Sequence, residues 1–199
     1  MTNIKTPVGR VSYPNLLKPK LNDMNPATPK MEYSVDLLFK KDTDISAIKN
    51  AVDKAVTEKW GAKKPADLIN PIKDGDTKTD KNGDPVEAYA GCFYITLKNT
   101  RKPNVVDANV QPILSEDEIY GGCYGRASFT AYAYPKLADP RKKRGVSLSL
   151  VNFQKVKDGE PFGSVAKVDA ELDFDVVDGE MDNEANYATA ATKKKSILG

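Results

Sequence analysis

Residues 122 to 134 read GCYGRASFTAYAY, and their two alternating sets differ sharply in chemistry. The odd positions, Cys123, Gly125, Ala127, Phe129, Ala131 and Ala133, are small or apolar and suit the inside of a narrow barrel. The even positions are Tyr124, Arg126, Ser128, Thr130, Tyr132 and Tyr134. In a strand these share one face. Tyrosine rings, a guanidinium and hydroxyls on one face are what a single-stranded nucleic acid needs: π-surfaces for stacking, worth about 1–3 kcal/mol per base, and donors for phosphate oxygens. The plain alternative is that tyrosines favour strands and cover another element of the same chain.

Two neighbouring stretches carry the same chemistry. Over 91–98, Phe93, Ile95 and Leu97 alternate with Tyr94, Thr96 and Lys98, and the chain runs on through Arg101 and Lys102. The loop PKLADPRKKRG, 135–145, supplies Lys136, Arg141, Lys142, Lys143 and Arg144. A basic loop is commonly plain solvated charge, but its place beside the tyrosine strand favours phosphate contact. In RGVSLSLVNFQKVKDGEPFG, 144–163, Val146, Leu148 and Leu150 alternate with Ser147 and Ser149. Phe153 follows with Lys155 and Lys157, and is the weaker stacking candidate because the pattern leaves its side of the barrel open. The expected stacking set is thus Tyr94, Tyr124, Tyr132, Tyr134 and Phe153. The expected phosphate set is Lys98, Arg101, Lys102, Arg126, Arg141, Lys142, Lys143 and Arg144.

Other chemistries find little support. The chain has no histidine, which removes Ser-His-Asp triads, Cys-His pairs and histidine-bound metals. Cys92 and Cys123 are too few for a disulfide framework or an all-cysteine zinc site. No phosphate-loop or dinucleotide fingerprint is present. The acidic loop DGDTKTDKNGD, 74–84, fails the calcium template, since Lys78 takes the place of a third-position ligand and Lys81 that of the required glycine. Asp107, Glu116, Asp117 and Glu118 are not grouped with a base or an electrophile, so a metal-dependent nuclease stays a minor alternative. No enzyme, cofactor or metal is expected.

The elements that must position these residues follow from periodicity. GRVSYPNLL, 9–17, reads as a first strand in which Pro14 argues for an edge or a bulge. NDMNPATP, 22–29, is a loop, and Met31, Tyr33, Val35, Leu37 and Phe39 alternate with polar residues in a second strand. From Asp44 to Trp60 the period changes to helical, with Asp44 as a cap and Trp60 near the apolar face as a core or anchoring residue. Residues 61–90 read as loop; strands return at 91–98, 122–134 and 145–157. Five strands, one helix after the second and long loops fit a small β-barrel.

With 199 residues, 40% hydrophobic, 29% charged and mean hydropathy −0.52, the chain reads as a soluble protein with no membrane segment. MTNIKTPVGR lacks the apolar core of a signal peptide, which predicts a cytoplasmic protein. The net charge of +2 is a cancellation: residues 1–157 carry +8, residues 158–184 carry −9, and Lys193, Lys194 and Lys195 restore +3. A basic body suggests an anionic partner, which the acidic tail imitates.

The run IYGGCYGRASFTAYAY, 119–134, followed by 144–163, with NPIKDGDTK at 70–78, RKPNVVD at 101–107 and the opening VGRVSYPNLLKPK and MEYSVDLLF, resembles the single-stranded DNA-binding proteins of tailed bacteriophages. The resemblance covers most of residues 8–165. It implies a five-stranded oligonucleotide/oligosaccharide-binding (OB) barrel over 1–170, a flexible acidic tail over 171–199, and sequence-independent coating of single-stranded DNA in replication or recombination. It also implies contacts with phage or host replication proteins through the tail, whose acids are Glu171, Asp173, Asp175, Asp178, Glu180, Asp182 and Glu184. The ending KKKSILG departs from the acidic tip of that pattern. The competing reading is a β-barrel that binds a protein through the tyrosine face. A monomer and a homo-oligomer are both compatible with the sequence.

Overall fold

The protein is described here by a computed structural model, which defines residues 3–22, 29–135 and 144–163. Among the described residues eight strands form one sheet: β1 (Ile4–Lys5), β2 (Gly9–Asn22), β3 (Lys30–Lys40), β4 (Ile72–Asp74), β5 (Cys92–Asn99), β6 (Asn104–Val106), β7 (Tyr124–Tyr134) and β8 (Gly145–Lys157). One α-helix, α1 (Ser46–Trp60), follows β3.

Five of the strands close on themselves. β2 pairs antiparallel with β3, β3 with β5, β5 lies parallel to β8, β8 pairs antiparallel with β7, and β7 returns to β2. Numbered among themselves these strands run 1-2-3-5-4-1, the closed Greek-key circuit of an OB barrel, with β7 meeting β2 at Gly9 and Arg10. The five are those the alternation predicts. β1, β4 and β6 are additions of two or three residues, pairing with β7, β5 and β8 respectively.

The alternating apolar residues fill the barrel. Val11, Val35, Leu37, Phe39, Ile95, Leu97, Ala127, Phe129, Leu148 and Leu150 form one buried cluster. Helix α1 packs Ile48 and Ala51 into the same cluster, while Ala55 and Val56 join Val146 beside the partly buried Trp60, Ala131 and Ala133. The helix therefore closes an end of the barrel, and Trp60 anchors it. Asp44 Oδ1 accepts the Ser46 N–H at 2.9 Å, and that bond holds the Asp44 carboxyl below its ordinary pKa. The helix ends at Gly61, whose φ of +59° suits a residue without Cβ.

Two bulges matter for the outer surface. In β2, Tyr13 and Pro14 stand between the pairs Ser12↔Asp36 and Asn15↔Ser34, where β3 offers only Val35. In β8, Val151 is an extra residue between Leu150↔Phe129 and Asn152↔Ser128. Because strand side chains alternate with period two, one added residue reverses the phase beyond it. Leu148 and Leu150 point inward before the bulge, and Phe153 points inward after it, only 1% exposed in the core. The sequence-based placement of Phe153 in the stacking set is therefore corrected. Gly125, opposite on β7, leaves the room its ring needs: a Cβ there would lie 2.3 Å from Phe153 Cζ.

Candidate nucleic-acid interface

The outward residues of neighbouring strands line up in rows across the barrel wall. One row runs Asn15, Ser34, Lys98, Ser149 and Thr130 through successive pairings of β2, β3, β5, β8 and β7. Beside it lie Ser12, Asp36 and Thr96 on the first three strands and Ser147 paired with Tyr132 on the last two. These side chains are short and polar except for Lys98 and Tyr132; Ser12 and Asp36 are buried, so the surface a flat ligand can approach is the row from Asn15 to Thr130 together with Ser147 and Tyr132. Lys98 Nζ stands 3.5 Å from Glu32 Oε2, a partly buried pair in which Glu32 Oε2 also accepts from Asn22 Nδ2 at 2.6 Å.

The sequence-predicted residues occupy different surroundings on this wall. Tyr132 stands out with 51% exposure, available for stacking on its outer face. Tyr134, also on the outer face, is half-buried, and its hydroxyl lies close to Gly145; burial, then Tyr132, raises its pKa. Arg126 is exposed and donates through Nε to Gln154 Oε1 at 2.9 Å, leaving its terminal nitrogens for a phosphate. Tyr124 carries two cations: Lys157 Nζ lies 4.7 Å and Arg10 Cζ 5.7 Å from its ring centroid. Arg101 and Lys102 are exposed in the turn between β5 and β6, where Asn99 Oδ1 accepts the Arg101 backbone N–H at 3.1 Å. Arg144 Nε is 3.1 Å from Asp67 Oδ1, an ion pair without hydrogen-bond geometry. Arg141, Lys142 and Lys143 lie outside the described residues, as does the tail.

Tyr94 faces outward as the alternation predicts, yet it is only 6% exposed. The reason is the segment between β4 and β5, which shows no strand or helix period in the sequence. It folds over the outer face of β3 and β5 and brings Tyr89 down onto them. The Tyr89 hydroxyl donates to Asp36 Oδ2 at 2.7 Å, and its ring meets Tyr94 edge-to-face at a centroid distance of 4.9 Å. Burial first, and the Asp36 charge second, push the phenol of Tyr89 far above its ordinary pKa, so it stays a donor at neutral pH. Gly75 permits the close approach, since a Cβ there would fall 2.1 Å from the Tyr89 carbonyl oxygen. The acids of this segment hold the fold: Asp76 Oδ1 accepts the Gly91 N–H at 2.6 Å, and Lys41 bridges Asp74 and Asp76.

Several residues absent from the sequence-derived set join this wall. Lys78 Nζ stands 5.5 Å from the Tyr94 ring and 5.6 Å from that of Tyr89, and Lys73 Nζ 5.6 Å from that of Tyr94. Arg10 lies between Leu38 and Tyr124 in the register, with Phe162 stacked 4.4 Å from its Cζ. Tyr13 projects from the β2 bulge. Pro14 marked that bulge in the sequence, but nothing there indicated what Tyr13 would stand against.

Among the described residues no three Cys, Asp or Glu side chains converge as metal ligands, and no helix is long and apolar enough to cross a membrane. The arrangement is one for binding: aromatic faces, hydroxyls and cations spread along a barrel wall.

Comparison with known proteins places this wall in context. Residues 2–187 match the family described as Enterobacter phage Enc34, ssDNA-binding protein. A putative protein, p50, of Acyrthosiphon pisum secondary endosymbiont phage 1 is 31% identical over 190 residues, spanning 82% of this chain and 97% of that protein. The structure of the single-stranded DNA-binding protein from bacteriophage Enc34 in complex with ssDNA superposes with a TM-score of 0.62 and 30% identity, covering 81% of this chain and 89% of the other. The single-stranded DNA-binding protein gp2.5 of bacteriophage T7 shares the fold, with a TM-score of 0.58 at 17% identity over 84% of this chain and 98% of its own.

Proposed function

The chain belongs to the family of the Enterobacter phage Enc34 single-stranded DNA-binding protein, and from that premise we propose that its outer barrel wall is where single-stranded DNA lies. The protein is a single-stranded DNA-binding protein. The observation that carries this function is the shared fold and 30% identity with the Enc34 protein in complex with ssDNA. The site reading rests on the rows of small polar residues flanked by Tyr132, Arg126, Lys98, Arg101 and Lys102. Cations neutralise phosphates and release counterions, while rings stack on bases of any identity, so binding needs neither sequence readout nor catalysis.

In our reading Arg141, Lys142 and Lys143, in the connection between β7 and β8, are further phosphate contacts. An OB barrel grips its ligand with the loop in this position. The acidic segment 171–199 acts as a separate tail that meets replication proteins. The working compartment is the cytoplasm of the phage's bacterial host, where replicating phage DNA is exposed.

A fluorescence-anisotropy titration of a labelled oligo-dT, at several salt concentrations and against a duplex of equal length, tests this function. Tight binding to the single strand, falling linearly in log K against log salt and weak for the duplex, is the expected result. Equal affinity for the duplex, or no binding at low salt, would overturn it.

A further inference from the structure

Tyr13 breaks a rule that, among the described non-glycine residues, every one but it and Val110 obeys. Its φ is +44°, in the left-handed region that bulky side chains avoid, and its ring is 59% exposed. A large aromatic residue gains nothing in stability from that combination: the backbone is strained and over half the side chain stays in water. A glycine or asparagine would turn the bulge more cheaply.

What the conformation achieves is placement. The Tyr13 ring centroid lies 6.4 Å from that of Tyr89, with the planes tilted by 33°. Tyr89 is itself fixed from the other sides, by its hydroxyl on Asp36 and by the edge of Tyr94. The support under Tyr13 is therefore rigid, and one face of its ring is left to solvent. Lys78 Nζ lies 5.6 Å from the Tyr89 centroid and 5.5 Å from that of Tyr94, and Lys73 Nζ lies 5.6 Å from that of Tyr94, so positive charge sits on the aromatic group that supports Tyr13.

We infer that Tyr13 is a base-stacking platform, a binding subsite at the β2 side of the wall that takes one nucleobase of the single strand on its exposed face while Lys78 and Lys73 take the adjacent phosphates. The inference rests on the single-stranded DNA-binding function proposed above. It places the strand's path across β2, β3 and β5 as well as β7 and β8. Tyr13 and Tyr132, the two tyrosines more than half exposed among the described residues, then stand toward opposite sides of the path.

Four variants test it in the full-length protein, with oligo-dT as the probe and both affinity and thermal midpoint measured. Tyr13→Ala should weaken binding by about 5- to 150-fold, the effect of losing one stacked base, without changing the slope of log K against log salt. Tyr13→Phe should bind as the wild type does, because the ring and not the hydroxyl is the platform. Tyr13→Gly should lose affinity like the alanine variant while its thermal midpoint stays at or above that of the wild type, because glycine relieves the strained φ. Lys78→Gln should make the salt slope shallower by about 0.7. Wild-type affinity in Tyr13→Ala and Tyr13→Gly, with the parent protein binding oligo-dT normally, would overturn this subsite alone. A parent protein that does not bind oligo-dT would overturn the function on which it rests. A Tyr13→Phe variant as weak as Tyr13→Ala, or a lower midpoint in Tyr13→Gly, would also contradict it.

Discussion

At the scale of single residues, environment rather than residue type separates the eight described tyrosines and the described cations. Tyr132 stands clear of the wall, so Tyr132→Ala should weaken oligo-dT binding by about 5- to 150-fold with the salt slope retained, as read by anisotropy. Arg126→Ala should act in the other way, lowering the slope by about 0.7 because one phosphate contact is lost. Tyr89 serves structure. Tyr89→Phe would leave the buried Asp36 carboxylate without that donor and should cost about 1–3 kcal/mol in chemical denaturation. Since burial raises the Tyr89 pKa in the folded state, its contribution is complete below the ordinary phenol value and is lost as pH rises above it. Wild-type stability should therefore decline above about pH 10, and Tyr89→Phe should decline less steeply. Alternation with Phe93 and Ile95 shows the outward direction of Tyr94, but not its cover. Burial of Tyr94 depends on a segment that pairs at β4 and returns through Tyr89, a contact between residues with no shared period.

At the scale of elements, alternation made the five barrel strands legible, and the change to helical spacing from Asp44 marked α1. The three short strands were not legible, because two or three residues show no period and exist as strands only through a partner's backbone. The bulge at Val151 was hidden for a related reason. Alternation reports phase on either side of an inserted residue but not where the insertion sits, and Val151, Asn152 and Phe153 satisfy either phase. Phe153→Ala should accordingly remove core packing, at about 3–5 kcal/mol, while the folded variant retains the wild-type salt slope. Gly125→Ala should destabilise through collision with the Phe153 ring and the Gln154 carbonyl, read as a lower thermal midpoint.

At the scale of the molecule, closure of the sheet turns every outward row into part of one wall. The excess of positive charge over residues 1–157 gives that part of the chain the sign a polyanion requires. The sequence carried this charge asymmetry openly, and it carried the family resemblance in the phrasing of β7 and β8. It did not carry the contribution of β2, because Tyr13 is defined by a bulge and by the Tyr89 ring beneath it. The central claim is that the strand crosses the outer wall between Tyr13 and Tyr132. Photo-cross-linking of the full-length protein to an oligonucleotide carrying 5-iodouracil, followed by peptide mapping, tests it directly. Cross-links at Tyr13 and Tyr132 are the predicted result; cross-links confined to helix α1 and Trp60, with none on the barrel wall, would contradict it.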